Sequence, residues 1–378
     1  MSAAGDATRV VIAHDFMETY GGAERVTAEM AIAFPQAPVV AILGREDVAE
    51  RMGVGDRFRS LLKPRPGLLK HYRYLAPAFG AYTDHVRLEQ ADVVLSSSYA
   101  FAHRLRSRND APRVCYCHSA LRFAWSMTES YKEERAGNPI TGAAFEAFAA
   151  VMRRSDKRSA QPIREYLTQS PFTAEQIERF YERPVEVIGA PIDCSLFRPS
   201  DAGTSGVAAG PDDYYLFCGR IIEPYKQVGI TIEAFRRTGQ RLVVAGDGPD
   251  LERLRAGAPP NVEFLGHVAD DVLVPLMQSC QALVFPSRDD FGLIPVEVMA
   301  CGRPVLAYAD GGSLYTSLPG TTGELFQEQS ADAIEAALRG FDPGAYEPEK
   351  IRAHALQWDS PRFRERLARH VEAAAKGP

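Results

Sequence analysis

None of the six cysteines sits in a C-x-x-C pair, which removes the commonest thiol-redox and zinc-finger spacings from consideration. Cys115, Cys117, Cys194, Cys218, Cys280 and Cys301 fall mostly inside or beside apolar runs, so they are expected to be buried, reduced thiols of a reducing compartment. Cys115 and Cys117 share one strand face, but a metal site would need further ligands that cannot be placed there, and none is expected. Also missing is any stretch near the ~20 apolar residues of a spanning helix, and Arg9 to His14 is too short for a signal-peptide core. The expected location is therefore cytoplasmic. Positive charge is not in excess either: 43 Lys and Arg against 49 Asp and Glu leave a net charge of -6. That balance argues against a nucleic-acid partner. Finally, no complete G-x-G-x-x-G exists. Gly246-Asp247-Gly248-Pro249 lacks the third glycine and brings in a proline, which speaks against a hydride-transferring dinucleotide enzyme.

What is present is an alternation of short apolar runs with longer segments of helical period, the signature of βαβ units around parallel sheets. In the first half the expected strands are Val10 to Ala13, Val39 to Leu43, Val93 to Leu95, Val114 to Tyr116, Leu167 to Gln169 and Val185 to Ile188. The second half offers Tyr215 to Cys218, Leu242 to Ala245, Val262 to Leu265, Ala282 to Phe285 and Val305 to Ala307. At 378 residues the chain exceeds the size of one ordinary core, so two α/β domains are expected. The boundaries read as 1–190, a linker at 191–210 rich in Gly, Ala and Ser at its end, and 211–378. Phe363, Leu367, Val371 and Ala375 fall at helical spacing and predict a last amphipathic helix, which can cross back to the first domain. Two such sheets facing each other would place ligands at their carboxyl ends, in the cleft.

Several motifs sit where such a cleft would be. Asp289-Asp290-Phe291-Gly292-Leu293-Ile294-Pro295-Val296-Glu297 leaves a strand, passes through a loop and enters a helix with Pro295 in its first turn. Free backbone N–H groups at that helix start suit a phosphate or a sugar, and Glu297 could accept from two ribose hydroxyls. The plainer alternative is that Glu297 complements the helix dipole and Asp289 caps a turn. Gly21-Gly22 after the first strand either lets backbone approach a ligand or makes a tight turn. His118, at the end of an apolar strand, is either a satisfied structural histidine or a site residue. Arg220 and Lys226 follow the first strand of the second half and are either solvated cations or partners of a phosphate.

Taken together, these motifs resemble the retaining family 4 glycosyltransferases of GT-B fold over nearly the whole chain. Asp289 and Glu297 resemble that family's E-x7-E motif, with aspartate in place of the first glutamate. The resemblance implies that Glu297 holds the nucleotide ribose, and that Asp289 with the amides of Phe291, Gly292 and Leu293 addresses the sugar. It further implies that Gly21 and Gly22 admit the β-phosphate and sugar, that His118 faces the sugar, and that Arg220 and Lys226 neutralise the diphosphate. Gly246 and Gly248 would line the nucleotide, and Gln227 stands where a glycine often follows the lysine. The stretches His14-Asp15-Phe16, Gly21 to Val26 and His118 to Trp125 look most like bacterial mannosyltransferases of polysaccharide assembly.

The expected function is retaining, metal-independent transfer of a hexose, with GDP-mannose as donor, to a saccharide or polyprenyl-linked acceptor. The nucleotide diphosphate sugar is substrate, and no cofactor is implied. A nucleotide-sugar epimerase of the same fold and a non-catalytic partner subunit are the alternatives. Arg57, Arg59, Lys63, Arg65, Lys70 and Arg73 interleave with Leu61, Leu62, Leu68, Leu69, Tyr72 and Tyr74. That mixture suggests a peripheral contact of residues 57–74 with an anionic membrane face, or an ordinary helix with solvated cations.

Overall fold

The structure is a computed structural model and describes residues 8–65, 76–125, 139–200 and 214–377. The strands of the first half, most of them runs of β-branched and aliphatic residues, are β1 (Val10–Met17), β2 (Val39–Gly44), β3 (Phe58–Leu62), β4 (Arg87–Leu88), β5 (Val93–Ser98), β6 (Arg106–Ser107), β7 (Arg113–Cys117), β8 (Glu165–Thr168) and β9 (Val185–Val187), with the two-residue β4 and β6 pairing only with each other. After these come β10 (Tyr215–Cys218), β11 (Leu242–Ala245), β12 (Val262–Gly266), β13 (Leu283–Phe285), β14 (Val305–Tyr308) and β15 (Gly323–Phe326). Every residue of β1, β2 and β5 is buried. Burial on both faces is why these strands read as nearly unbroken apolar runs instead of alternating ones.

The chain divides into two compact units, one of Met1–Pro191 with Pro361–Pro378 and the other of Ile192–Ser360. In the first, a seven-stranded sheet has the order β3-β2-β1-β5-β7-β8-β9, and its pairings are parallel. In the second, six strands follow the order β12-β11-β10-β13-β14-β15, again in parallel. Strand order reverses at β1/β5 in one sheet and at β10/β13 in the other. In doubly wound folds this reversal opens a crevice at the carboxyl ends of the two strands concerned, and both sets of motifs lie at such ends.

Three expectations change. The last helix, Ser360–Ala375, belongs with the first unit instead of the 211–378 domain and crosses back as expected, with Phe363, Leu367, Val371 and Ala374 buried in the first unit's core beside Val10, Tyr116 and Ile188. Arg364 adds an ion pair to Glu29 at 2.5 Å. The start of the expected linker is structured, because Ile192, Cys194 and Phe197 are buried and Arg352 donates to the carbonyls of Cys194 and Phe197 at 3.0 and 3.1 Å. Residues 201–210 of that linker lie outside the described residues. In the basic segment, residues 58–62 form the edge strand β3 instead of a helix, since Leu61 and Leu62 pack against the core. Arg57 is no surface cation: its guanidinium donates to the carbonyls of Ala31, Phe34 and Ala37 and closes the end of the helix Gly22–Ala33. Arg59, Lys63 and Arg65 are exposed, while Leu68, Leu69, Lys70, Tyr72, Arg73 and Tyr74 lie outside the described residues.

Candidate functional site

In the first unit the polar groups at the ends of β1, β5 and β7 form one buried network. Ser97 Oγ lies 2.8 Å from His118 Nε2, 3.1 Å from His14 Nδ1 and 2.8 Å from Thr27 Oγ1. His14 Nε2 is 3.4 Å from Glu24 Oε1, and the other oxygen of Glu24 accepts from the Gly21 amide at 3.0 Å. Gly21 stands at the N-cap of the helix Gly22–Ala33, so Glu24 closes a capping-box geometry there. A Cβ on Gly21 would come within 3.1 Å of that carboxylate, whereas Gly22 is exposed.

Burial of His118 pushes its pKa down to about 3, helped by the neighbouring His14 and Arg122 and opposed by Gln169. A neutral imidazole at physiological pH can orient a hydroxyl by hydrogen bonding, and it does not act as a stored proton. Asp15, which follows His14 in sequence, is fully buried and accepts from the amides of Tyr99, Ala100, Phe101 and Ala102 at 2.6 to 2.8 Å. Asp15 therefore shapes the turn after β5.

In the second unit the site is built from backbone. Gly246, at φ +154°, faces the Gly219 carbonyl so closely that a Cβ would lie 1.8 Å from its oxygen, and a Cβ on Gly248 would lie 2.0 Å from the Ile221 oxygen. These glycines hold the loops after β10 and β11 together. Arg220 is exposed and, among the described residues, forms no side-chain hydrogen bond or ion pair. Lys226 and Asp289, expected to act on different parts of a donor, are brought together: Nζ donates to both carboxylate oxygens at 2.8 and 2.6 Å. Glu297 is buried in the helix Leu293–Ala300, and Gly292 caps that helix at φ +82°. Phe291 anchors the preceding loop, with its ring edge-on to Trp358 at 5.8 Å.

Sequence reasoning missed the bridging roles of Ser97, Thr27 and Glu24. It also missed Gly311-Gly312, where a Cβ on Gly312 would lie 2.3 Å from Phe291 backbone and the Gly312 amide donates to the Asp289 carbonyl at 2.8 Å. A glycine pair shortly after the apolar strand β14 is the same signal that marked Gly21-Gly22, and it could have been found. All six cysteines are buried and unpaired. Among the described residues one group has metal-ligand geometry, Glu165, Glu186 and His370. There both imidazole nitrogens already face carboxylates, at 2.7 and 3.3 Å. No described helix is long and apolar enough to cross a membrane.

Comparison with known proteins places both units. Residues 20–196 match the model of Glycosyltransferase Family 4, and residues 212–341 match that of Glycosyl transferases group 1. The D-inositol 3-phosphate glycosyltransferase of Mycobacterium avium (strain 104) is 32% identical over 197 residues, covering 46% of each chain. That of Mycobacterium bovis (strain BCG / Pasteur 1173P2) is 35% identical over 174 residues, which is 41% of this chain and 36% of the relative. The matches thus span less than half the length of these relatives. Among solved structures, Anabaena HepE in complex with UDP superposes with a TM-score of 0.68 at 19% identity, covering 97% of this chain and all of that one. The lipopolysaccharide outer core galactosyltransferase WaaB superposes at 0.63 and 16%, covering 96% and 99%. At those identities the likeness is one of fold. Two glycosyltransferase family models thus match successive parts of the chain, each less than half of it, and the two parallel sheets give it the GT-B fold.

Proposed function

We propose that this chain transfers a hexose from a nucleotide diphosphate sugar to a saccharide or lipid-linked acceptor, with retention of anomeric configuration and without a metal ion. The observation that carries the reading is the contact of Lys226 with Asp289, which joins the segment after β10 to the loop after β13, with Arg220 and Glu297 on the same two segments. Glu297 would accept from the ribose hydroxyls. Arg220 and Lys226 would meet the diphosphate, on which negative charge grows as the bond to the sugar breaks, so fixed cations stabilise the transition state more than the bound donor. These two cations supply the charge that a divalent ion would otherwise bring. From the first unit the reading takes Gly21, Gly22 and the neutral His118 as groups that position the sugar. No side chain stands out as a covalent nucleophile, so the chemistry is positional and electrostatic, with the departing phosphate taking the acceptor proton.

GDP-mannose is the proposed donor on the strength of the stretches around His14 and His118, and UDP-sugars are its rivals because structural neighbours were solved with UDP and with UDP-glucose. The test is incubation of the purified chain with GDP-, UDP- and ADP-hexoses in EDTA. Release of the matching nucleoside diphosphate, and transfer giving a first-formed product of donor configuration by NMR, is the expected result. Isomerised donor without transfer, inversion, or strict dependence on added magnesium or manganese would each contradict the corresponding part.

A further inference from the structure

We propose that Asp289 and Lys226 are an exchange pair: the carboxylate holds the ammonium until a diphosphate displaces it, and takes it back once the sugar has left. The inference rests on the donor-site reading above. Lys226 Nζ touches both oxygens of Asp289 and lies over the rings of Tyr225 and Phe285, at 5.1 and 5.8 Å. With side chains 13% and 21% exposed, the pair is neither solvated on the surface nor locked in the core. An ion pair of this kind can be replaced by another anion at modest cost, because water still reaches both partners.

The backbones on either side are fixed. The Lys226 amide donates to the Ile222 carbonyl at 2.8 Å, and Gln227 turns left-handed at φ +57° to begin the helix Val228–Thr238. The Asp289 carbonyl is held by the Gly312 amide and pressed by Gly311, where a Cβ would lie 2.5 Å away. Exchange is therefore a matter of two side chains turning, with no loop to rebuild.

The consequence is selectivity for a donor that still carries its sugar. An intact donor takes the ammonium with its diphosphate and offers sugar hydroxyls to the released carboxylate. A bare diphosphate takes the ammonium and leaves the carboxylate facing its own negative charge. Asp289 therefore works against the product that remains in the site after transfer, and hastens its departure.

The test is calorimetric titration of wild type, D289N, K226A and the double variant with UDP, GDP, ADP and inorganic pyrophosphate, alongside melting curves. D289S serves as a second variant should the asparagine disturb the fold. Expected are a rise of about tenfold in affinity for pyrophosphate and the preferred nucleoside diphosphate in D289N, a loss in K226A, and no gain from D289N in the K226A background. Unchanged or weaker binding by D289N and D289S, or a full gain that persists without Lys226, overturns the exchange. If wild type binds none of the four probes, the donor-site reading itself falls.

Discussion

The two units solve the same problem of presenting polar chemistry at a strand end by opposite means. The first surrounds its histidines with hydroxyls and carboxylates, so that Ser97 alone meets His14, Thr27 and His118. The second uses few side-chain bonds and instead presses backbone on backbone through Gly246, Gly248 and Gly312, leaving cations at the edge. A network of side chains is sensitive to losing a hydrogen-bond partner, whereas a glycine contact is sensitive to a single added carbon. The lesson is that two strand ends of similar position need not fail in the same way.

The sharpest break of this contrast is Gly246→Ala, which demands both a strained φ and room where the Gly219 oxygen stands. It is expected to destabilise the second unit by roughly 4 kcal/mol or more, read as loss of its urea-unfolding transition. Next come Arg220→Ala and Lys226→Ala, each expected to lower kcat by roughly 10²–10³ in a chain that still folds, with the melting temperature unchanged for the exposed Arg220 and lowered for Lys226, whose loss leaves Asp289 unpaired. Normal turnover in both would leave Arg220 an ordinary surface cation and Lys226 a structural partner of Asp289.

In the first unit, Ser97→Ala strips partners from three buried groups and should cost about 1–3 kcal/mol in denaturant unfolding, with nothing sterically forbidden. A fourth comparison uses acid. Because His118 titrates near 3 in the folded chain and at 6.5 ordinarily, the unfolded state binds more protons between those values. Its contribution thus makes stability fall as pH drops from about 6.5 toward 3, by at most about 1.4 kcal/mol per pH unit. His103, also depressed by burial, acts in the same direction, and Asp156, raised to about 6 mainly by burial, acts in the opposite one. His118→Asn should therefore flatten the wild-type slope without abolishing it. The smallest expected effect is Gln227→Gly, which relieves a left-handed non-glycine and should stabilise by about 0.5–1 kcal/mol, measured by the same unfolding curves.

Much of this was legible in sequence for a physical reason: strands buried on both faces write themselves as apolar runs, and β10 and β11 fall at the residues expected. β3 was hidden because an edge strand half open to solvent carries Arg59 and Ser60 among its leucines and has no such run. β15, Gly-Glu-Leu-Phe, is too short to show a period. The resemblance singled out Lys226 and Asp289 as candidates, but their pairing was not readable. Nothing in the separation of Lys226 from Asp289 says that the ammonium and carboxylate meet. Likewise Ser97 is an ordinary serine in Ser96-Ser97-Ser98 until the sheet sets its hydroxyl beside two histidines.

The packing of Phe363, Leu367, Val371 and Ala374 into the first unit has a bearing on biosynthesis. A ribosome delivers residues 8–191 long before it delivers the helix that covers their apolar face, so the nascent first unit must wait, incompletely closed, while the second is made and folds. During that interval the uncovered surface around Val10, Tyr116 and Ile188 is open to chaperones and to wrong partners. Truncating the chain ahead of Ser360 would make that temporary state permanent.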